Sequence, residues 1–123
     1  LIADDNQDAA TTMGWILEAK GCDVVVVEDG PSALKAVENF SPDLILLDIG
    51  MPGMNGYDLC IALREMPELE HSVFVAQTGW GQPSHIKRSQ EAGFHHHLVK
   101  PLDMGDLMPI VDEVRQLKSR LSS

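Results

Sequence analysis

The sequence predicts an α/β fold in which five parallel strands form a doubly wound sheet flanked by five helices. Short apolar runs of four or five residues recur along the chain, each bounded by Gly, Pro or Asp, with helically spaced apolar residues between them. Two of these runs, Val24 to Val27 and Leu44 to Leu47, are apolar on both faces, as in strands covered by helices on either side. The predicted element order is therefore βαβαβαβαβα.

The apolar runs place the five strands. The predicted strands are Leu1 to Ala3, Cys22 to Val27, Asp43 to Leu47, Val73 to Gln77 and His96 to Val99. The first run has only three residues before Asp4, whereas strands commonly have about five or six residues. We therefore expect the first strand to be truncated at its N-terminus.

Local signals mark the ends of the first three helices. Gly21 predicts a stop after helix one, Pro31 opens helix two, and helix three starts near Asn55. The core-facing positions of these helices are predicted to be Ala9, Ala10, Met13, Ile16, Leu17, Ala33, Leu34, Val37, Phe40, Leu59, Cys60 and Leu63.

The last two helices differ in apolar content. Helix four, around Ser84 to Glu91, has few apolar anchors, so we expect it to be loosely held and mostly exposed. The last helix carries well-spaced apolar residues from Leu107 to Leu121. Because proline lacks an amide hydrogen and clashes in a helix interior, we expect this helix to begin near Asp106, with Pro109 in its first turn, rather than to be kinked.

The composition is that of one globular domain. With 123 residues, 44% of them apolar, we expect a single domain over 1–123 that ends in a polar tail at 118–123. A formal net charge of −10 argues against direct contact with nucleic acid, which requires a basic face. The apolar runs are too short to cross a bilayer. Cys22 and Cys60 lack metal-type spacing, which favours buried thiols in a reducing, cytoplasmic compartment.

Polar residues follow the predicted strands at the edge where open parallel sheets bind ligands. These residues are Asp4, Asp5, Asp48, Thr78 and Lys100, and Gly79 directly follows Thr78. Singly, each fits a structural role, since Asp caps helices, Thr suits strands and Lys is usually solvated. Together, three crowded carboxylates repel each other unless a cation or a proton offsets their charge. Oxygen ligands without His or Cys favour Mg²⁺, with Mn²⁺ as the alternative.

These residues stand in motifs whose order and separation resemble the receiver domain of two-component response regulators over essentially the whole chain. The matching stretches are Ile2 to Asn6, Leu47 to Gly56, Thr78-Gly79 and Leu98 to Pro101. The resemblance implies a flavodoxin-like strand order of 2-1-3-4-5. It also implies a phosphorelay function: Asp48 takes a phosphoryl group from a phosphohistidine on a histidine kinase or a histidine phosphotransfer protein.

The resemblance implies further roles at this site. Asp5 and Asp48 would bind Mg²⁺ directly, Asp4 mainly through water, and Gly50 through its backbone carbonyl. The phosphoryl oxygens would be contacted by the Lys100 ammonium, the Thr78 hydroxyl and the Gly79 amide. The domain would promote its own phosphorylation and dephosphorylation without being an enzyme of the usual kind. It would signal through the face formed by helix four, strand five and helix five.

The sequence departs from the family at three positions around the site. His97 stands where family members usually carry Tyr or Phe, and its ordinary pKa near 6.5 suggests an output surface that responds to pH. A metal site on His95, His96 and His97 is disfavoured because strand alternation turns His96 away from the other two. Gly50 offers no side chain to orient water and Trp80 could shield the phosphoryl group, so we expect slow self-dephosphorylation.

Three rival functions follow from the same residues. A haloacid dehalogenase-like phosphatase would need a second Asp at position 50, where Gly50 stands. A flavin-binding module would favour a Gly- and hydroxyl-rich loop, whereas Asp4 and Asp5 would repel a phosphate. A receiver that acts only as an interaction surface, without phosphorylation, is the third. The run from Thr78 to Gln82 further resembles receivers fused to sensor histidine kinases.

Overall fold

The computed structural model describes residues 1–51, 53–79, 83–100 and 102–122, and for residues 83–86, 121 and 122 it describes the backbone alone. Within these ranges, strands and helices alternate along the chain as predicted. Their bounds are β1 Ile2–Ala3, α1 Gln7–Ala19, β2 Val26–Val27, α2 Gly30–Ala36, β3 Leu44–Asp48, α3 Gly56–Arg64, β4 Val73–Gly79, α4 Pro83–Ala92, β5 His96–Lys100 and α5 Met104–Ser122. All strand pairs are parallel, and the order β2-β1-β3-β4-β5 confirms the predicted fold.

Side-chain caps start three helices directly after the strand ends. Asn6 accepts a hydrogen bond from the Ala9 amide at the start of α1. Asp29 and Asn55 make the same contact at the starts of α2 and α3. Such a cap stabilises a helix by about 1 kcal/mol, and it fixes where the preceding loop turns.

The core consists of two layers, one on each face of the sheet. One layer packs α2, α3 and α4 against the sheet, and the other packs α1 and α5 against the opposite face. The side chains of Ile45, Leu46 and Leu47 in β3 are fully buried, as are those of Phe74 and Val75 in β4. The central strands are therefore rigidly held, and their carboxyl ends have fixed positions.

Strand β2 is shorter than predicted. Only Val26 and Val27 pair with β1, and the run from Val24 to Val27 is half-buried rather than buried on both faces. The reason is its place at the edge of the sheet, where one side has no neighbouring strand. Helix α2 is also short, since Val37 is its C-cap and Phe40 lies beyond it.

The predicted start of the last helix near Asp106 is wrong. Helix α5 begins at Met104 because Asp103 caps it. The Asp103 carboxylate accepts a hydrogen bond from the Gly105 amide at 2.8 Å, and the Asp103 backbone carbonyl accepts from the amides of Asp106 and Leu107. Pro109 therefore lies inside the helix, beyond its first turn.

Helix α4 is exposed along most of its described side chains, as predicted, with two exceptions, Ser89 and Ala92. Ser89 is only 1% exposed and faces β5. Of the two thiols, which are both free, Cys60 is buried and Cys22 half-buried. Burial raises the pKa of the Cys60 thiol to about 12. Within the described ranges, every helix is too short or too polar to span a bilayer.

Candidate functional site

The three predicted carboxylates come together at the carboxyl edge of the sheet. Asp4 follows β1, Asp48 ends the neighbouring β3, and Asp5 lies beside them. One oxygen from each of the three lies within 4.8 Å of the others. Asp4 and Asp48 are only 3% and 5% exposed, whereas Asp5 faces solvent. The cluster thus has a buried floor and an open side.

Lys100 offsets part of this negative charge. Its Nζ lies 3.2 Å from Asp4 Oδ2 and 3.1 Å from Asp48 Oδ2. Burial by itself would lower the pKa of Lys100, but the hydrogen bonds and negative charges of Asp48 and Asp4 outweigh it and raise that pKa. The ammonium at the end of β5 is therefore charged at neutral pH and bridges the two buried carboxylates.

Backbone amides hold the other carboxylate oxygens. The Gly50 amide donates to Asp48 Oδ1 at 3.0 Å, and the Asn6 amide donates to Asp4 Oδ1 at the same distance. A Cβ on Gly50 would meet only Asp48 Oδ1, at 3.7 Å, which is an ordinary contact. The carboxylates are thus oriented by the chain itself, and position 50 has room for a side chain.

Gly56 lets α3 approach the loop that follows Asp48, a role the sequence patterns did not reveal. Its amide donates to the Ile49 carbonyl at 3.2 Å. A Cβ there would lie 2.7 Å from the Asp48 carbonyl oxygen and 2.8 Å from Ile49 Cα, which is too close. Only glycine fits at this position without moving the backbone that carries Asp48.

Thr78 is tied to α4 through His97. Thr78 Oγ1 lies 2.9 Å from His97 Nε2, and His97 Nδ1 lies 3.0 Å from Ser89 Oγ. A neutral imidazole donates at one nitrogen and accepts at the other, so it can serve both hydroxyls at once. Ser89 was not predicted, because a serine among charged helix residues gives no sign of burial.

The other two histidines of the 95–97 run, His95 and His96, have separate partners. His95 Nδ1 accepts a hydrogen bond from the Phe74 amide at 3.0 Å. The pKa of His95 is lowered, mainly because the ring is partly buried and secondly because Arg64 and His96 lie nearby. His96 Nε2 contacts Glu113 Oε2 at 2.7 Å. In the described part of the chain, the aspartate cluster is the one group of three metal-ligating side chains whose ligand atoms lie within 4.8 Å of one another.

Gln77 lies next to Asp48 in the sheet and was not predicted as a site residue. The two are partners in the parallel pairing of β3 and β4. Its signal in the sequence is one polar residue after the apolar run Val73 to Ala76. Trp80, which was expected to shield the phosphoryl group, lies outside the described residues, as do Pro52 and Pro101 of the matching stretches.

Comparisons with known proteins identify the family of this chain. The family model of the response regulator receiver domain matches residues 1–112. An uncharacterised 14.6 kDa protein of Leptolyngbya boryana is 30% identical over 113 residues, covering 92% of this chain and 86% of that protein. The DNA-binding response regulator MtrA of Mycobacterium tuberculosis is 33% identical over 108 residues, covering 88% of this chain. This chain spans 46% of the length of MtrA.

Among solved structures, the receiver domain of a signal transduction histidine kinase from Syntrophus aciditrophicus superposes with a TM-score of 0.79 at 30% identity. The match covers 96% of this chain and 87% of that one. With the family model and the curated relatives, it confirms the resemblance predicted from the motifs. The chain belongs to the receiver domain family of two-component response regulators, a family of signalling domains.

Proposed function

We propose that this chain, over 1–123 as one domain, takes a phosphoryl group onto Asp48 from a phosphohistidine of a kinase or phosphotransfer protein. The observation that carries the proposal is the contact of Asp48 with Lys100 beside two further carboxylates. A carboxylate held by fixed donors is a suitable nucleophile, and a charged ammonium beside it suits an incoming phosphoryl oxygen. The free thiols fit a cytoplasmic location.

The donor set fits a hard divalent cation. Three carboxylate oxygens within reach of one another are ligands that Mg²⁺ prefers, and Mn²⁺ is the alternative. Asp5, which is exposed, and Asp48 would hold the ion directly, together with the Gly50 carbonyl. Asp4 already contacts Lys100 and the Asn6 amide, which supports a role mainly through water. When bound, the ion would supply neutralisation of charge on the transferring oxygens.

The chain's own residues perform the transfer. An Asp48 carboxylate oxygen forms a bond to phosphorus while the phosphorus–nitrogen bond to the donor histidine breaks, and its electron pair stays on the imidazole. Lys100 stabilises the charge that builds on the phosphoryl oxygens. The Thr78 hydroxyl and the Gly79 amide are further donors to the phosphoryl oxygens. The space beside Gly79 is open, since a Cβ there would meet nothing within 4 Å. The same groups would later promote hydrolysis of the aspartyl phosphate.

The hydrogen bonds of His97 support output through α4, β5 and α5. If Thr78 turns its hydroxyl to the phosphoryl group, the 2.9 Å contact with His97 Nε2 is lost. His97 on β5 also contacts Ser89 on α4, so the change reaches two of the three elements of that face. Histidine would thus replace the aromatic readout of the family by hydrogen bonding rather than by packing.

Incubation with Mg²⁺ and acetyl phosphate tests the proposal. We expect a mass increase of one phosphoryl group that requires Mg²⁺ and is lost in Asp48→Asn. Asp58→Asn is the matched control, because Asp58 is exposed on α3. Absence of an Mg²⁺-dependent adduct would refute the proposal and favour a phosphorylation-independent interaction role. Rapid Mg²⁺-dependent hydrolysis of p-nitrophenyl phosphate would instead favour the phosphatase.

A further inference from the structure

The side chain of Gln77 points away from Thr78 and toward the α1 and α5 layer. In the sheet Gln77 pairs with Leu98 on β5, and Leu98 packs in that layer. Gln77 is only 3% exposed, and its Nε2 has no hydrogen-bond partner among the described residues. Buried donors are nearly always paired, so this amide is open to an acceptor from outside the described residues.

A cavity of about 700 Å³ lies at this donor. Its walls are largely apolar and include Met13 and Ile16 of α1, Leu46 of β3 and Leu102. This volume lies within the range of about 300–1,000 Å³ that small-molecule sites occupy, and apolar walls with few polar groups are typical of such sites. Gln77 supplies the buried directional group that orients a ligand.

The cavity is continuous with the phosphoacceptor site but does not depend on phosphoryl transfer. Asp4, Gly79 and Lys100 line both. The Lys100 ammonium is already held by two carboxylates, and Asp8 adds a negative charge at the cavity. The charges therefore oppose an anionic ligand, and the walls oppose a strongly polar one.

We propose that this cavity binds an uncharged, largely apolar small molecule whose carbonyl-type oxygen accepts a hydrogen bond from Gln77 Nε2. The apolar body of the ligand covers Met13, Ile16 and Leu102, while its acceptor pairs the buried amide. An occupant lies against Asp4 and Lys100, so it also changes access to Asp48.

Acetophenone and ethylbenzene form a matched pair of probes, since they share size and ring but only acetophenone has an acceptor. NMR spectroscopy follows the Gln77 side-chain amide and the Met13 methyl group during titration. We expect saturable shifts at both groups with acetophenone, and about tenfold weaker binding of ethylbenzene, which corresponds to one net hydrogen bond. Gln77→Leu should abolish this preference, whereas Gln90→Leu, at an exposed position of α4, should keep it.

Three results would overturn the proposal. The first is the absence of saturable shifts at Gln77. The second is equal affinity for the two probes, and the third is a preference that survives in Gln77→Leu. If a bound water pairs with the Gln77 amide and neither probe displaces it, no saturable shift will be seen at Gln77, which is the first of these results. The titration is repeated with Asp48→Asn, in which phosphorylation is expected to be lost. Because Asp48 does not line the cavity, this variant should still bind acetophenone, so a failure of ligand binding can be distinguished from a failure of phosphorylation.

Discussion

Replacing Lys100 by Met should destabilise the metal-free protein more than removal of any exposed lysine. Lys100 Nζ contacts Asp4 and Asp48 at 3.2 and 3.1 Å, and both carboxylates are nearly fully buried. Without the ammonium, two buried charges lose their shared partner. Breaking a fully buried pair costs about 3–5 kcal/mol. Since 31% of the Lys100 side chain is exposed, solvent screening reduces the expected loss to about 1–3 kcal/mol.

Lys118→Met is the matched control. Lys118 lies 3.1 Å from Asp43, the same separation, but the two side chains are 66% and 52% exposed. An exposed pair of this kind contributes about 0–1 kcal/mol. Urea unfolding followed by circular dichroism at pH 7.5 measures both variants. Equal losses in the free energy of unfolding would refute the view that the buried carboxylates depend on Lys100.

Two further readouts separate an electrostatic effect from lost packing. Mg²⁺ should recover more stability in Lys100→Met than in wild type, because the uncompensated carboxylates attract the ion more strongly. The pKa of Lys100 is raised above its ordinary value of 10.5, so its stabilisation is complete at neutral pH and is lost as pH rises through the folded-state pKa. The difference between wild type and Lys100→Met should therefore be constant near neutral pH and narrow above about pH 10.5.

Other substitutions test the site and its readout. Asp5→Asn should weaken the stabilisation by Mg²⁺ and raise metal-free stability by relieving repulsion; equal Mg²⁺ responses in thermal unfolding would contradict the ligand role. Gly56→Ala should cost about 1–3 kcal/mol in urea unfolding because its Cβ meets the Asp48 carbonyl, and a neutral effect would contradict that crowding. Gly50→Asn should change the rate of self-dephosphorylation more than exposed substitutions do, and a wild-type phosphoryl lifetime of seconds, measured by mass spectrometry, would disprove slow hydrolysis. The active-state population of the phosphorylated protein, measured by NMR from pH 6 to 8, should vary in wild type and not in His97→Phe; parallel pH responses would refute a pH-responsive output surface at His97.

The strand-end residues were predictable because each one follows a strand that the apolar pattern marks. Asp4, Asp48 and Lys100 needed only the rule that parallel strands end at one edge of the sheet. The edge position of β2 depends on long-range pairing, so the run of valines overstated its burial. The start of α5 depended on Asp103, whose capping outweighed the restriction that Pro109 imposes. The burial of Ser89 could not be predicted either, because it depends on a contact with β5, which is a separate element of the chain.

The last residues of β4 send their side chains to opposite faces of the sheet. Thr78 contacts the His97 ring on the side of α4, and Gln77 faces the cavity beside α1. One peptide bond joins the two residues, so neither can move far along the strand without the other. A ligand in the cavity would contact Gln77, and a phosphoryl group on Asp48 would contact Thr78. The two proposed events would therefore act on the same segment of β4 from opposite faces of the sheet.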